Sequence, residues 1–67
     1  MNRNNDDRIL ELAKNIRGYC IHSAREGFRE ASLSGLCTEG AIEAAIGAMQ
    51  SIDLEQLVKE TFPRNRS

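Results

Sequence analysis

The stretch SGLCTEGAIEAAIGAMQSI, residues 34–52, decides the fold of this chain. A serine–glycine turn opens it, and a segment built largely from alanine, isoleucine and glycine follows. Alanine is the best helix former, and its short side chain lets a helix lie very close to a neighbour. The stretch predicts a turn at residues 34–38 and then a second helix, capped by Cys37 or Thr38 and running to about Ser51.

The segment before this turn has the pattern of one long helix. Apolar residues recur at intervals of three and four over residues 9–31, which is typical of a helix with a single apolar face. We predict a first helix from Asp6 to Leu33, with Asn4 or Asn5 as its N-cap.

Two glycines stand inside this predicted first helix. Gly18 and Gly27 each cost about 1 kcal/mol relative to alanine at an interior position. Each therefore marks a bend or a close approach of another helix, and we favour the close approach. In an antiparallel hairpin, contacting residues would have numbers that sum to about 73, which places Phe28 opposite Ala44 and Ala45.

The segment after residue 52 predicts a third, short helix. Asp53 followed by Gln56 has the form of a capping box, and Pro63 is a helix stop. The expected helix runs from Leu54 to Phe62. The pattern leaves open whether the residues between the second and third helices form a kink or a break.

The size of the chain favours association. At 67 residues it is one small helical domain, with frayed ends expected at about residues 1–5 and 63–67. Such a chain buries only about 60% of its unfolded surface, so a lone monomer is marginal. Two cysteines are too few for a disulfide framework. We expect an all-α fold, an antiparallel helical hairpin with a short third helix, whose copies pair into a four-helix bundle as a homodimer.

Apolar residues outside the predicted hairpin contact support this pairing. The expected positions are Leu10, Tyr19 and Ile21 on the first helix and Ile42 and Ile46 on the second. A second hairpin could cover them.

The charge pattern argues against nucleic acid as a partner. Residues 37–62 carry one basic and five acidic side chains. A helix-turn-helix interpretation of the turn would present Glu39 and Glu43 to the phosphates, which would repel them. The sequence also lacks an apolar run of membrane-spanning length and a signal peptide, so we predict a soluble, cytoplasmic protein that binds neither nucleic acid nor membrane.

The turn is the candidate functional region. Its residues are Gly35, Cys37, Thr38, Glu39 and Gly40, with Glu43 one turn further on. A thiol at a helix N-terminus can be a reactive thiolate, whereas a capping or packing role is the simpler interpretation. A continuous first helix would place Cys20 about 20 Å from the turn, too far for a disulfide with Cys37.

A second candidate pattern is the row His22, Glu26 and Glu30. Such rows bind metal in carboxylate bundles, but those sites need a Glu-x-x-His pattern on facing helices. We therefore interpret the row as a solvated charged face and predict no metal, cofactor or catalytic residue in the chain.

The segment from residue 26 to residue 58, which includes GLCTEGAIEAAIGAMQSIDLEQLV, resembles a family of short bacterial proteins of about this length. The matching elements are Gly35-Leu36-Cys37, Glu39-Gly40, Glu43 and Asp53-Leu54. Some members carry the name acetyltransferase. The common acetyltransferase fold needs several strands and a far longer chain, so the resemblance implies no activity and draws attention to the turn.

These observations predict a homo-oligomeric protein-interaction or regulatory module, with an unidentified protein as a possible partner. The alternative is a protein that binds a small molecule or metal, or performs thiol redox chemistry, through the turn around Cys37.

Overall fold

The computed structural model describes residues 3–63, with side chains from residue 6 onward. It contains three helices and, within the described residues, no strand: α1 (Arg3–Leu33), α2 (Thr38–Gln50) and α3 (Leu54–Thr61). The expected all-α class and the order of a helical hairpin followed by a short third helix are confirmed.

The first helix begins earlier than expected. Asn4 and Asn5 both lie inside α1, so neither is its N-cap. Asparagine is only a moderately poor helix former, and the N–H groups of a first turn can be satisfied by water. Of the residues expected to fray, 1, 2 and 64–67 lie outside the described residues.

Residues 51–53 form a true break between α2 and α3. The Ser51 backbone N–H donates to the carbonyl oxygens of Gly47 and Ala48, at 3.0 and 3.2 Å. Asp53 then caps α3 by accepting from the Gln56 backbone N–H at 3.0 Å. Half of the expected capping box is therefore formed, because the Gln56 side chain donates instead to Glu60, at 3.4 Å.

The internal contacts divide the chain into two units. One unit is Tyr19–Ile52, which contains the hairpin of α2 and the second half of α1. The other contains the first half of α1, up to Gly18, with the chain from Asp53 onward, including α3.

The hairpin unit is held by a very close approach at Gly27. A Cβ atom built on Gly27 would lie 2.9 Å from the Ala44 carbonyl oxygen, 3.0 Å from the Ala48 Cβ and 3.2 Å from the Ala45 Cα. The numbers of these contacting residues sum to 71–75, which confirms the expected antiparallel register. Close packing is thus confirmed at Gly27. At Gly18 it is not, because no such neighbour lies within 4 Å.

The unit that contains α3 has Leu57 as its buried anchor, with 2% of its surface exposed. The Asn15 side-chain amide donates to Thr61 Oγ1 at 2.6 Å, and this hydroxyl donates to the Leu57 carbonyl oxygen at 2.8 Å. The Arg8 guanidinium lies 4.2 Å from the centroid of the Phe62 ring, a cation–π distance. A hydrogen bond and a ring contact thus join the end of α3 to the first half of α1.

Candidate functional site

The turn between α1 and α2 is a complete Schellman motif. Gly35 has a φ of +98°, which favours glycine. Its N–H donates to the Ser32 carbonyl oxygen, and the N–H of Leu36 donates to that of Ala31, both at 3.0 Å. This left-handed conformation accounts for Gly35 without a ligand.

The next residues of the turn start α2. Cys37 is the N-cap by its backbone, with φ −72° and ψ 172°, but its side chain makes no capping hydrogen bond. Thr38 is the first helical residue, and Glu39 lies in the first turn, where the helix dipole favours a negative charge. Gly40 makes room for Leu36, whose Cδ2 would lie 3.2 Å from an added Cβ.

The structure brings four of the six predicted turn residues together. Cys37, Glu39, Gly40 and Glu43 line one open surface depression together with Ile42. Gly35 and Thr38 are not among its lining residues. The depression joins a free thiol to two carboxylates, which is the arrangement that the predicted binding or redox role would use.

The two cysteines differ in exposure, and this difference predicts their reactivity. Both are free, as the spacing predicted; Cys37 is exposed and Cys20 is half-buried. In native protein we expect a thiol reagent to label Cys37 first and Cys20 more slowly, with equal rates after unfolding, because access limits the reaction. Single Cys37→Ser and Cys20→Ser variants followed by absorbance measure each rate. Faster labelling of Cys20 would contradict the placement of both thiols.

The described residues contain neither a cluster of metal-binding side chains nor a membrane-spanning helix. Over residues 3–63, no three His, Cys, Asp or Glu residues group closely enough to hold a metal ion. Within the same part of the chain, none of the helices combines the length and the apolar character needed to cross a bilayer.

The hairpin unit has two different faces, and one of them is a groove lined by small residues. Glu30 of α1 and Gly47 and Ser51 of α2 line this groove, together with Gly27 and Ala44. Gly47 has open space where its side chain would be, since no neighbour would lie within 4 Å of an added Cβ. We call this side of the hairpin the groove side.

The opposite side carries bulky apolar side chains. Successive residues of a helix are rotated by about 100° around its axis. Seen along α1, Phe28 and Ile21 therefore lie on one side of Gly27, and Glu30 lies on the other side. Seen along α2, Ile42 and Ile46 lie on one side of its contact with α1, and Gly47 lies on the other side. Because Glu30 and Gly47 share the groove side, the bulky residues share the other. We call it the apolar face: Ile21, Phe28, Ile42, Ile46 and Met49.

This face is open to solvent. Ile42 and Ile46 expose 46% and 39% of their surface, and Ile21 and Phe28 expose 51% and 38%. The expectation that Ile21, Ile42 and Ile46 lie outside the hairpin contact is therefore confirmed. Tyr19 is also exposed but turns toward the groove side, so one flat partner cannot cover it together with Ile21.

Sequence reasoning misplaced Phe28. Its spacing fits the apolar row of α1, and it was expected to face Ala44 and Ala45. In the structure Gly27 occupies that position. Side-chain size is the feature of the sequence that could have identified Gly27 as the contact residue, because the smallest residues of both helices mark the line of closest approach.

Comparison of the chain with protein-family models, with curated proteins and with solved structures found no match. The resemblance carried by residues 26–58 therefore stays a prediction.

Proposed function

We propose that this chain is a homo-oligomeric protein-interaction or regulatory module, built as a homodimer through the apolar face of its hairpin and acting in the cytoplasm. The observation that carries the proposal is the contrast between this face and the interior. Among the described residues, the buried apolar ones are Ala31, Ala41 and Leu57. The large side chains of the hairpin lie mostly on its surface.

The energetics of burial favour association. Complete burial of an isoleucine or phenylalanine side chain contributes about 1.5–3 kcal/mol. Ala31 and Ala41 have little side chain to bury, so the fully buried residues of the hairpin contribute little of this stabilisation. The four residues Ile21, Phe28, Ile42 and Ile46 still expose 38–51% of their surface, so a second copy that covered them would supply about half of the full-burial contribution of each. In a twofold dimer each contributes twice.

The face also has the shape that helix packing needs. Phe28 and Ile42 stand on different helices, on either side of the narrow Gly27 contact. Side chains of two facing hairpins could interdigitate there, as in a four-helix bundle. Scattered apolar residues on a surface are ordinary, but a contiguous set on one face is typical of an interaction site.

Light scattering over about three decades of protein concentration, with far-UV circular dichroism on the same samples, tests the proposal. We expect a mass twice that of the chain, with mass and helicity falling together on dilution, because the marginal monomer depends on its partner. A folded monomer at every concentration would contradict the homodimer.

A further inference from the structure

We propose that the two copies stack apolar face on apolar face with α1 of each protomer antiparallel to α2 of its partner. The twofold axis then runs parallel to the helices, and every neighbouring pair in the four-helix bundle is antiparallel. This inference rests on the homodimer proposed above and adds its arrangement.

The two outer rims of the apolar face carry opposite charges. The rim of α1 away from α2 holds Arg25 and Arg29, and the rim of α2 away from α1 holds Glu39 and Glu43. On helices with 3.6 residues per turn these side chains point about 160–200° from the α1–α2 contact. All four are exposed. Arg29 lies 3.2 Å from Glu26 in an exposed i,i+3 pair, which contributes little and can exchange partners.

A twofold axis in the plane of the interface allows two arrangements. With the axis parallel to the helices, α1 lies on the partner's α2, and the arginine rim meets the glutamate rim on both sides of the dimer. With the axis perpendicular to the helices, α1 lies on the partner's α1, so arginines face arginines and glutamates face glutamates. Juxtaposed like charges disfavour the second arrangement.

The register of the hairpin selects one pair. Gly27 contacts Ala44, Ala45 and Ala48, so Arg29 is level with about residue 44 of its own α2. Rotation about an axis parallel to the helices keeps every residue at its height. Arg29 therefore comes within about 1.5 Å in height, one residue of helical rise, of Glu43 of the partner subunit. The twofold dimer would contain two such pairs of Arg29 with Glu43 of the partner subunit, one at each rim.

Charge reversal at this pair tests the arrangement. The single variants Arg29→Glu and Glu43→Arg each place like charges at both rims. We expect each to raise the Kd of the dimer about tenfold at low ionic strength and less at high salt. The double variant Arg29→Glu with Glu43→Arg restores opposite charges in exchanged positions, so its Kd should return to within about threefold of wild type.

A matched control is Glu30→Arg, which makes the same change of charge on the groove side and should leave the Kd unchanged. Dimer dissociation is followed by light scattering, and circular dichroism verifies that each variant is helical. If the wild type is a dimer and the single reversals do not weaken it, or the double variant does not recover, the arrangement is overturned and the homodimer stands. If the wild type is a monomer throughout, the homodimer proposal itself fails.

Discussion

Replacing Gly27 with alanine will destabilise the hairpin, although alanine is the better helix former. The substitution gains about 1 kcal/mol of helix propensity. The added Cβ, however, would lie 2.9 Å from the Ala44 carbonyl oxygen and 3.2 Å from the Ala45 Cα. These are backbone atoms of α2 and cannot rotate away, so the helices must separate along their contact. Overpacking of this kind costs about 1–3 kcal/mol, so after the gain in propensity we expect a net loss of up to about 2 kcal/mol.

Two other helical glycines provide matched controls. Gly18 and Gly47 have no neighbour within 4 Å of an added Cβ, so Gly18→Ala and Gly47→Ala should stabilise the protein by about 0.5–1 kcal/mol. Urea unfolding followed by circular dichroism, at one fixed protein concentration, measures all three variants. A Gly27→Ala variant as stable as Gly18→Ala would show that α1 and α2 are not in close contact there.

The opposite signs expected at these glycines show which parts of the fold the sequence could predict. The register of the hairpin was predictable because small residues cluster at matching positions on both helices. Gly18 and Gly27 are nine residues apart, which is two and a half helical turns, so they lie on opposite faces of α1 and only one of them can face α2. Which of the two does so depends on where the hairpin contact lies, and that contact is at Gly27.

The sequence pattern alone does not decide whether residues 51–53 form a kink or a break. A capping signal at Asp53 permits either a kink or a new helix. In the structure α2 ends at Gln50, with Ser51 as its C-cap. The Ser51 hydroxyl donates to the Gly47 carbonyl oxygen at 2.9 Å, and the Ser51 backbone N–H also donates to carbonyl oxygens of the last turn. Serine makes such local bonds in many settings, so its presence alone did not predict the end of the helix.

At the turn, sequence reasoning found the residues but not what each of them does. Gly35 and Gly40 are accounted for by a positive φ and by the room that Leu36 occupies. Cys37 and Glu39 have positions at the start of α2, yet they also line an exposed depression with Glu43. The pattern of the turn is therefore explained in large part by helix termination and initiation, and the interaction role rests on the apolar face.

Replacing Ile46 with glutamate will dissociate the proposed dimer. Ile46 exposes 39% of its surface at the middle of the apolar face, so a second copy would bury it twice, once in each protomer. The variant loses both apolar contacts and would have to desolvate two carboxylates within the interface. We expect the Kd to rise about 100-fold or more.

The control variant is Leu33→Glu, an equivalent change at a residue that exposes 77% of its surface and turns toward the groove side. It should leave the Kd within about threefold of wild type, because surface substitutions away from an interface have small effects. Ile46→Lys should weaken the dimer as Ile46→Glu does, since lost apolar contact and not the sign of the charge causes dissociation, whereas Ile46→Leu should retain it. Light scattering on dilution measures all four. If Leu33→Glu dissociates the dimer and Ile46→Glu does not, the two copies meet on the groove side, and the apolar face is free for a different partner.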